Sequence, residues 1–165
     1  MDLYDATVPG FVRGLSSLRG FLEKGRAWAE AEGKPESALT EARLYPDMLP
    51  LTAQVQRVSD TAKFLAVRVG GAADVPFPDE ETSFADLFAR IDRTIAFLNA
   101  VDRAGFADKE AAPVQLPVPG GAIDFTGETY ALTFAIPNFW FHVTTAYAIL
   151  RAQGVPVGKR DFLLG

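Results

Sequence analysis

Apolar residues recur at three- and four-residue steps in four stretches of the chain, and each stretch predicts an amphipathic helix. The first runs from about Val8 to Ala31, with Phe11, Leu15, Leu18, Leu22 and Ala29 on one face and Phe21 and Trp28 beside it. Thr7 is its cap candidate, Pro9 falls in its first turn and Gly33 supplies its stop. Gly14, Gly20 and Gly25 lie inside it, each costing up to about 1 kcal/mol against alanine, which predicts a close neighbour at those positions. The second helix starts at Pro50 and carries Leu51, Val55, Val58, Ala62, Leu65 and Val69, the spacing of a bundle seam, before Gly70-Gly71 ends it. The third opens on Ser83 with Asp86 as a capping-box partner and buries Phe84, Leu87, Phe88, Ile91, Ile95 and Leu98, leaving Asp86, Arg90 and Arg93 to solvent. The fourth begins near Gly127 or Glu128 and ends at Gly154. Pro137, well inside it, predicts either a kink or a restart.

Between these stretches the punctuation is Pro and Gly. Residues 35–43 predict two helical turns, and LYPDMLP then breaks the pattern at Pro46 and Pro50. Residues 72–81, with Pro76 and Pro78, predict a crossing at one end of the bundle. VQLPVPGGAIDF predicts a hairpin of residues 114–118 against 122–125, its first strand an edge because of Pro117. The tail VPVGKRDFLLG is expected to dock through Phe162, Leu163 and Leu164, with Asp161 paired to Arg151. The expected architecture is one all-α domain over residues 1–165, a four-helix bundle with an accessory β-hairpin.

Charge and composition narrow the function classes. A net charge of -5 with scattered Lys and Arg lacks the positive field of a nucleic-acid binder. With no cysteine, disulfides and thiolate chemistry are excluded, and the cytoplasm is the expected compartment. No apolar run has the roughly 18 residues of a membrane span, and charged residues interrupt the amino terminus, so neither insertion nor export is expected.

Candidate chemistry concentrates in IPNFWFHVTTAYAILR, residues 136–151, which holds the only histidine. Among Phe139, Trp140, Phe141 and Val143, His142 reads first as a core residue holding one hydrogen bond, then as a general acid or base, then as a metal ligand. Burial would keep it neutral at pH 7 unless a carboxylate lay beside it. Asn138 and His142 are one helical turn apart, and Thr145 and Ile149 continue the stripe, so three polar groups could meet in one cavity. Asn138 could equally satisfy backbone groups freed by Pro137. Trp140, Tyr147 and Tyr130 are candidate pocket walls or core aromatics, and Tyr45 and Asp47 stand at the mouth, Asp47 as a helix cap. GVPVGKRDF lacks the frame of a phosphate loop, and no nucleophile-elbow pattern is present.

LYPDMLPL followed by QVQ, ETSFADLFARIDRTIAFL, and IPNFWFHVTTAYAILRAQGVPVGKRDFL together resemble the bacterial family called domain of unknown function 1993. The resemblance spans nearly the whole chain. It implies a DinB-like four-helix bundle, a superfamily in which several branches hold a divalent metal through three histidines and some act as hydrolases or thiol transferases. The His-x-x-x-His pair of the last helix falls here on His142 and Ala146, and the remaining histidine's place falls near Gln54, within a turn. A metal would therefore have only His142 as a nitrogen ligand, with Asp47, Asp60 or Asp92 as substitutes, so no cofactor is expected.

Three functions follow as expectations. The first is a ligand-binding bundle taking a small molecule between its helices, with His142, Asn138, Trp140, Thr145, Tyr130, Tyr147, Asp47 and Gln54 as candidate contacts. The second is a divalent-metal-dependent hydrolase or thiol transferase. The third is a structural homodimer whose leftover apolar face is covered by a second copy.

Overall fold

A computed structural model describes residues 2–164. The chain folds as α1 (Leu3–Ala31), a single turn α2 (Ser37–Thr40), α3 (Leu51–Arg68), α4 (Phe84–Asn99), a hairpin of β1 (Pro113–Val118) and β2 (Gly121–Thr126), then a last long helix and a short tail helix. That last helix is compound: α5 (Gly127–Thr129) passes through a π-helical segment, Tyr130–Ala135, into α6 (Ile136–Ala152), and α7 (Lys159–Leu164) follows. Four long helices thus surround one core, and the hairpin pairs antiparallel with Leu116 opposite Ile123.

Each helix forms where its apolar face can be buried. Leu51, Val55, Val58, Ala62 and Leu65 of α3 are fully buried against Phe139, Val143, Ala146 and Leu150 of α6, so the predicted seam is the bundle's centre. Helix α4 starts on the predicted capping box, Ser83 with Asp86. A buried hydroxyl pair, Ser59 with Thr94 at 2.8 Å, ties α3 to α4.

Several expectations are corrected. Helix α1 begins at Leu3, because Asp2 caps it by accepting from the Asp5 amide at 2.8 Å; Thr7 lies inside and donates to the Leu3 carbonyl instead. Pro9 is therefore interior to the helix. Residues 35–43 form one turn rather than two. Helix α3 has Pro50 at its N-cap with no side-chain cap, so Asp47 does not cap it. Pro137, by contrast, bears out the restart: it falls in the first turn of α6, directly after the π-helical segment Tyr130–Ala135, where its missing donor costs little. Asp161 pairs with Lys24 at 2.7 Å, not with Arg151, which donates to the Val157 carbonyl. The tail docks through Phe162 alone, against Phe21, Trp140 and Tyr147, while Leu163 and Leu164 stay exposed.

Arg90 is the largest correction. Its helical position reads as solvated, yet it is 4% exposed, because residues 72–82 cross over α3 and α4 and roof it. Its guanidinium meets Asp60 at 2.8 Å, Asp79 at 2.8 Å and Glu81 at 3.0 Å, and donates to the Pro78 carbonyl at 3.1 Å. Burial pushes the Asp60 carboxyl up from its ordinary value, opposed by Arg90 and Arg57.

Candidate functional site

The seam between α3 and α6 carries two polar cross-links in an otherwise apolar contact. Gln54, Arg57 and Thr61 recur at three and four residues on α3 and face Asn138 and His142 on α6. Asn138 Nδ2 donates to Thr61 Oγ1 at 2.8 Å, and Thr61 passes its own proton to the Arg57 carbonyl at 2.6 Å. His142 Nδ1 lies 2.6 Å from Gln54 Oε1, while Gln54 Nε2 donates to the Leu49 carbonyl at 2.9 Å.

That chain of bonds settles the histidine's proton. The Leu49 carbonyl can only accept, so it takes the Gln54 amide as donor and leaves Oε1 facing the ring. Oε1 can only accept as well, so Nδ1 carries the proton and Nε2 keeps its lone pair. Desolvation, reinforced by the nearby Arg57 cation, pulls the imidazole down from 6.5 to about 4, so the ring is neutral at pH 7. The sign of the linkage is that of a buried neutral base. Above about 6.5 the group costs no stability; as pH falls toward 4 the unfolded chain takes a proton that the folded chain refuses, and stability declines. We expect nuclear magnetic resonance of this sole histidine to give a midpoint well below 6.5, and a His142→Asn variant to lose less stability between pH 6.5 and 4 than the parent. A midpoint near 6.5 would contradict the burial argument.

The predicted stripe does not converge on one cavity. Asn138 and His142 face α3, Ile149 is core, and Thr145, itself buried, donates back to the Phe141 carbonyl at 2.8 Å. Tyr130 is fully buried beneath the hairpin, stacked with Phe134 and accepting from Arg68 at 2.7 Å, far along the helix from His142. Tyr147 faces Phe21 and Phe162. Asp47 is exposed with no hydrogen bond or ion pair among the described residues. Of the eight candidates, Gln54, Asn138 and His142 share the seam, and Trp140 and Thr145 line a separate trough.

That trough runs along the outer face of α6. It has a volume of about 480 Å³, with Leu44 and Met48 from the preceding turn on one side and Trp140, Phe141, Thr144, Thr145 and Ala148 on the other. Leu44 is 43% exposed and Phe141 is 56% exposed there, and the Phe141 ring stands edge-on to His142 at 5.1 Å. Sequence reasoning passed over this face because its residues lie off the seam period. The signal available was LYPDMLP itself, where apolar residues sit between prolines in a segment too short to bury them.

The profile of domain of unknown function 1993 matches residues 3–163. The chain belongs to that family. A crystal structure of a DinB family member from Shewanella denitrificans superposes with a TM-score of 0.88 at 39% identity, covering 99% of this chain and 92% of that one. Curated proteins give no match. The DUF1993 chain is thus a DinB-like helical bundle with an accessory hairpin, and no helix among the described residues is long and apolar enough to cross a membrane.

The residues at the superfamily's metal positions do not fit a metal ion. Gln54 is the hydrogen-bond partner of His142, Ala146 is fully buried, and among the described residues no three His, Cys, Asp or Glu side chains cluster as a ligand set. Asp47 is exposed, and Asp60 and Asp92 are engaged with arginines elsewhere.

Proposed function

We propose that this DUF1993 bundle binds a small, largely apolar molecule in the trough between the 44–48 turn and α6, beside His142. The observation that carries the reading is the trough itself: a concave apolar surface within the volume range of small-molecule sites, holding exposed Leu44 and Phe141 that the core does not use. The core is packed by the opposite side of the same helix, Phe139, Val143, Ala146 and Leu150. With that interior filled, the ligand lies against the outside of α6 rather than between the helices.

Titration with 1-methoxynaphthalene, a neutral apolar fluorophore of suitable size, tests this. Saturable binding is expected, weakened about tenfold by Ala148→Trp, which puts an indole where the probe would lie; tenfold is about 1.4 kcal/mol, one good apolar contact. Equal affinity in the parent and the variant would sink the reading.

A second copy of the chain is the competing occupant of this face, favoured by Tyr45 and Leu49, 66% and 43% exposed on the same turn. A dimer at micromolar concentration that dissociates in Phe141→Glu, without any probe binding, would decide for it.

A further inference from the structure

The segment that roofs Arg90 is fastened to the bundle by charge rather than by packing. Residues 73–81, ADVPFPDEE, carry four carboxylates and no lysine or arginine. Beneath them α3 presents Arg57 and Lys63, and α4 presents Arg90 and Arg93. Lys63 Nζ donates to Asp74 Oδ1 at 2.8 Å and to the Val75 carbonyl at 2.9 Å. Arg93 donates to the Pro76 carbonyl and Arg90 to the Pro78 carbonyl, each at 3.1 Å. Asp79 meets both Arg57 and Arg90, and Glu81 meets Arg90 at 3.0 Å and the Gln56 amide at 2.8 Å. None of these residues is buried, and no backbone-to-backbone bond among the described residues ties them down. Phe77, edge-on to Phe97 and beneath the Arg93 cation, is the one ring the segment lays against the bundle. Even there the fit is loose: a crevice of about 330 Å³ lies between Phe77, Pro78 and Glu81 and the α4 residues Ala89 and Arg93.

We infer that residues 73–81 form a strap that lifts as one unit from an intact bundle, switching Arg57, Lys63, Arg90 and Arg93 between a covered and an exposed cationic face. The core contains no strap residue, so the helices keep their apolar contacts when it lifts. A segment outside the core and without backbone bonds belongs to the low-stability end of a protein's local openings. Its two ends suit the motion. Gly71, at a left-handed φ of 68° with open space around it, gives one end a joint. At the other end the Thr82 and Ser83 amides stay fixed, both donating to the Asp86 carboxylate at 3.0 Å. Closed, the strap satisfies the four cations with its own oxygens. Open, it leaves them only the carboxylate of Asp60, a face complementary to an acidic segment such as the strap itself. This device lies across α3 and α4, apart from the trough on α6, and does not depend on it.

Lysine acetylation reads the opening in the parent chain, because the strap covers Lys63, whose side chain is 4% exposed against 47% for Lys24. The folded protein is treated with sulfosuccinimidyl acetate over a range of urea below the global transition, and each lysine is followed by mass spectrometry. Lys63 is expected to react roughly tenfold or more slower than Lys24, at a rate that rises only shallowly with urea, since lifting the strap exposes little surface. Asp79→Asn removes a contact at the end of the strap away from Lys63. It should speed Lys63 acetylation roughly three- to tenfold, the size of one hydrogen bond, and leave Lys24 unchanged. Acetylation of Lys63 only in step with the loss of helical circular dichroism would overturn the inference, and the parent alone decides that. A Lys63 rate unchanged by Asp79→Asn would overturn it too, because the segment would not then move as a unit.

Discussion

Replacing Arg90 by methionine is expected to cost about 3–5 kcal/mol of stability, the cost of breaking a buried ion cluster by removing one partner. The side chain is almost wholly enclosed, and three carboxylates, Asp60, Asp79 and Glu81, converge on its guanidinium. Methionine fills much of the volume but leaves Asp60 and Glu81 partly buried with less compensating charge. Glu81 would retain only the Gln56 amide, at 2.8 Å, and Asp60 only Arg57, at 3.1 Å. The roof over α3 and α4 would also loosen, since Arg90 holds the Pro78 carbonyl and no backbone-to-backbone bond among the described residues ties residues 73–82 down. In urea this amounts to a midpoint about 1–5 M lower, given slopes of roughly 1–3 kcal/mol/M for small proteins. Adding Glu81→Gln should restore part of the loss, because it removes one of the orphaned charges. A midpoint unchanged in Arg90→Met would mean that the cluster contributes no net stability.

Why Arg90 escaped a reading of the sequence is instructive. Its position on α4 falls off the apolar face, and an arginine off that face is ordinarily solvated; what buries it is a segment without regular structure, whose path no periodicity encodes. The four long helices and the hairpin were legible for the opposite reason. Their faces repeat, and the capping box at Ser83 and the glycine pair at the turn into β2 are local signals that need no tertiary context. Pro137 sits between these cases. Its conflict with a helix was plain, but relief by a π-turn over Tyr130–Ala135 depends on how Tyr130 and Phe134 pack beneath the hairpin.

The candidate site was legible only in part. That a buried His142 would be neutral followed from its apolar neighbours, whereas its hydrogen bond to Gln54, near the place that the resemblance gives a family histidine, came only with the structure. Arg57 and Thr61 were not foreseen, because both lie one side of the seam residues and look like ordinary surface positions until α6 is packed against them. The trough was hidden by its own chemistry. Phe141 in an aromatic run reads as core, and only the observed rotation of α6, with Phe139 turned in and Phe141 turned out, separates the two.

That rotation is fixed by a ring that fills a notch in α1. Phe139 is fully buried, stacked on Phe11 with centroids 4.2 Å apart, and it lies where a Cβ on Gly14 would stand, 2.5 Å from its Cε1. Phe139→Ala should therefore cost about 3–5 kcal/mol through lost burial and the cavity left behind. The glycine supplies the sharper test. In the parent, Gly14→Ala should destabilise by about 1–3 kcal/mol, since the added methyl overlaps the ring by more than the helix gains from alanine. In the Phe139→Ala background the ring is gone and only the Trp140 side chain, 3.1 Å from such a Cβ, must give way, so the same change should cost less by about 1 kcal/mol or more. Gly20→Ala is the control: nothing lies within 4 Å of a Cβ there, so it should stabilise α1 in both backgrounds. Urea unfolding of the five variants and the parent completes the cycle. If Gly14→Ala costs the same with and without the ring, the close approach of Phe139 is not the reason that α1 keeps a glycine at this position.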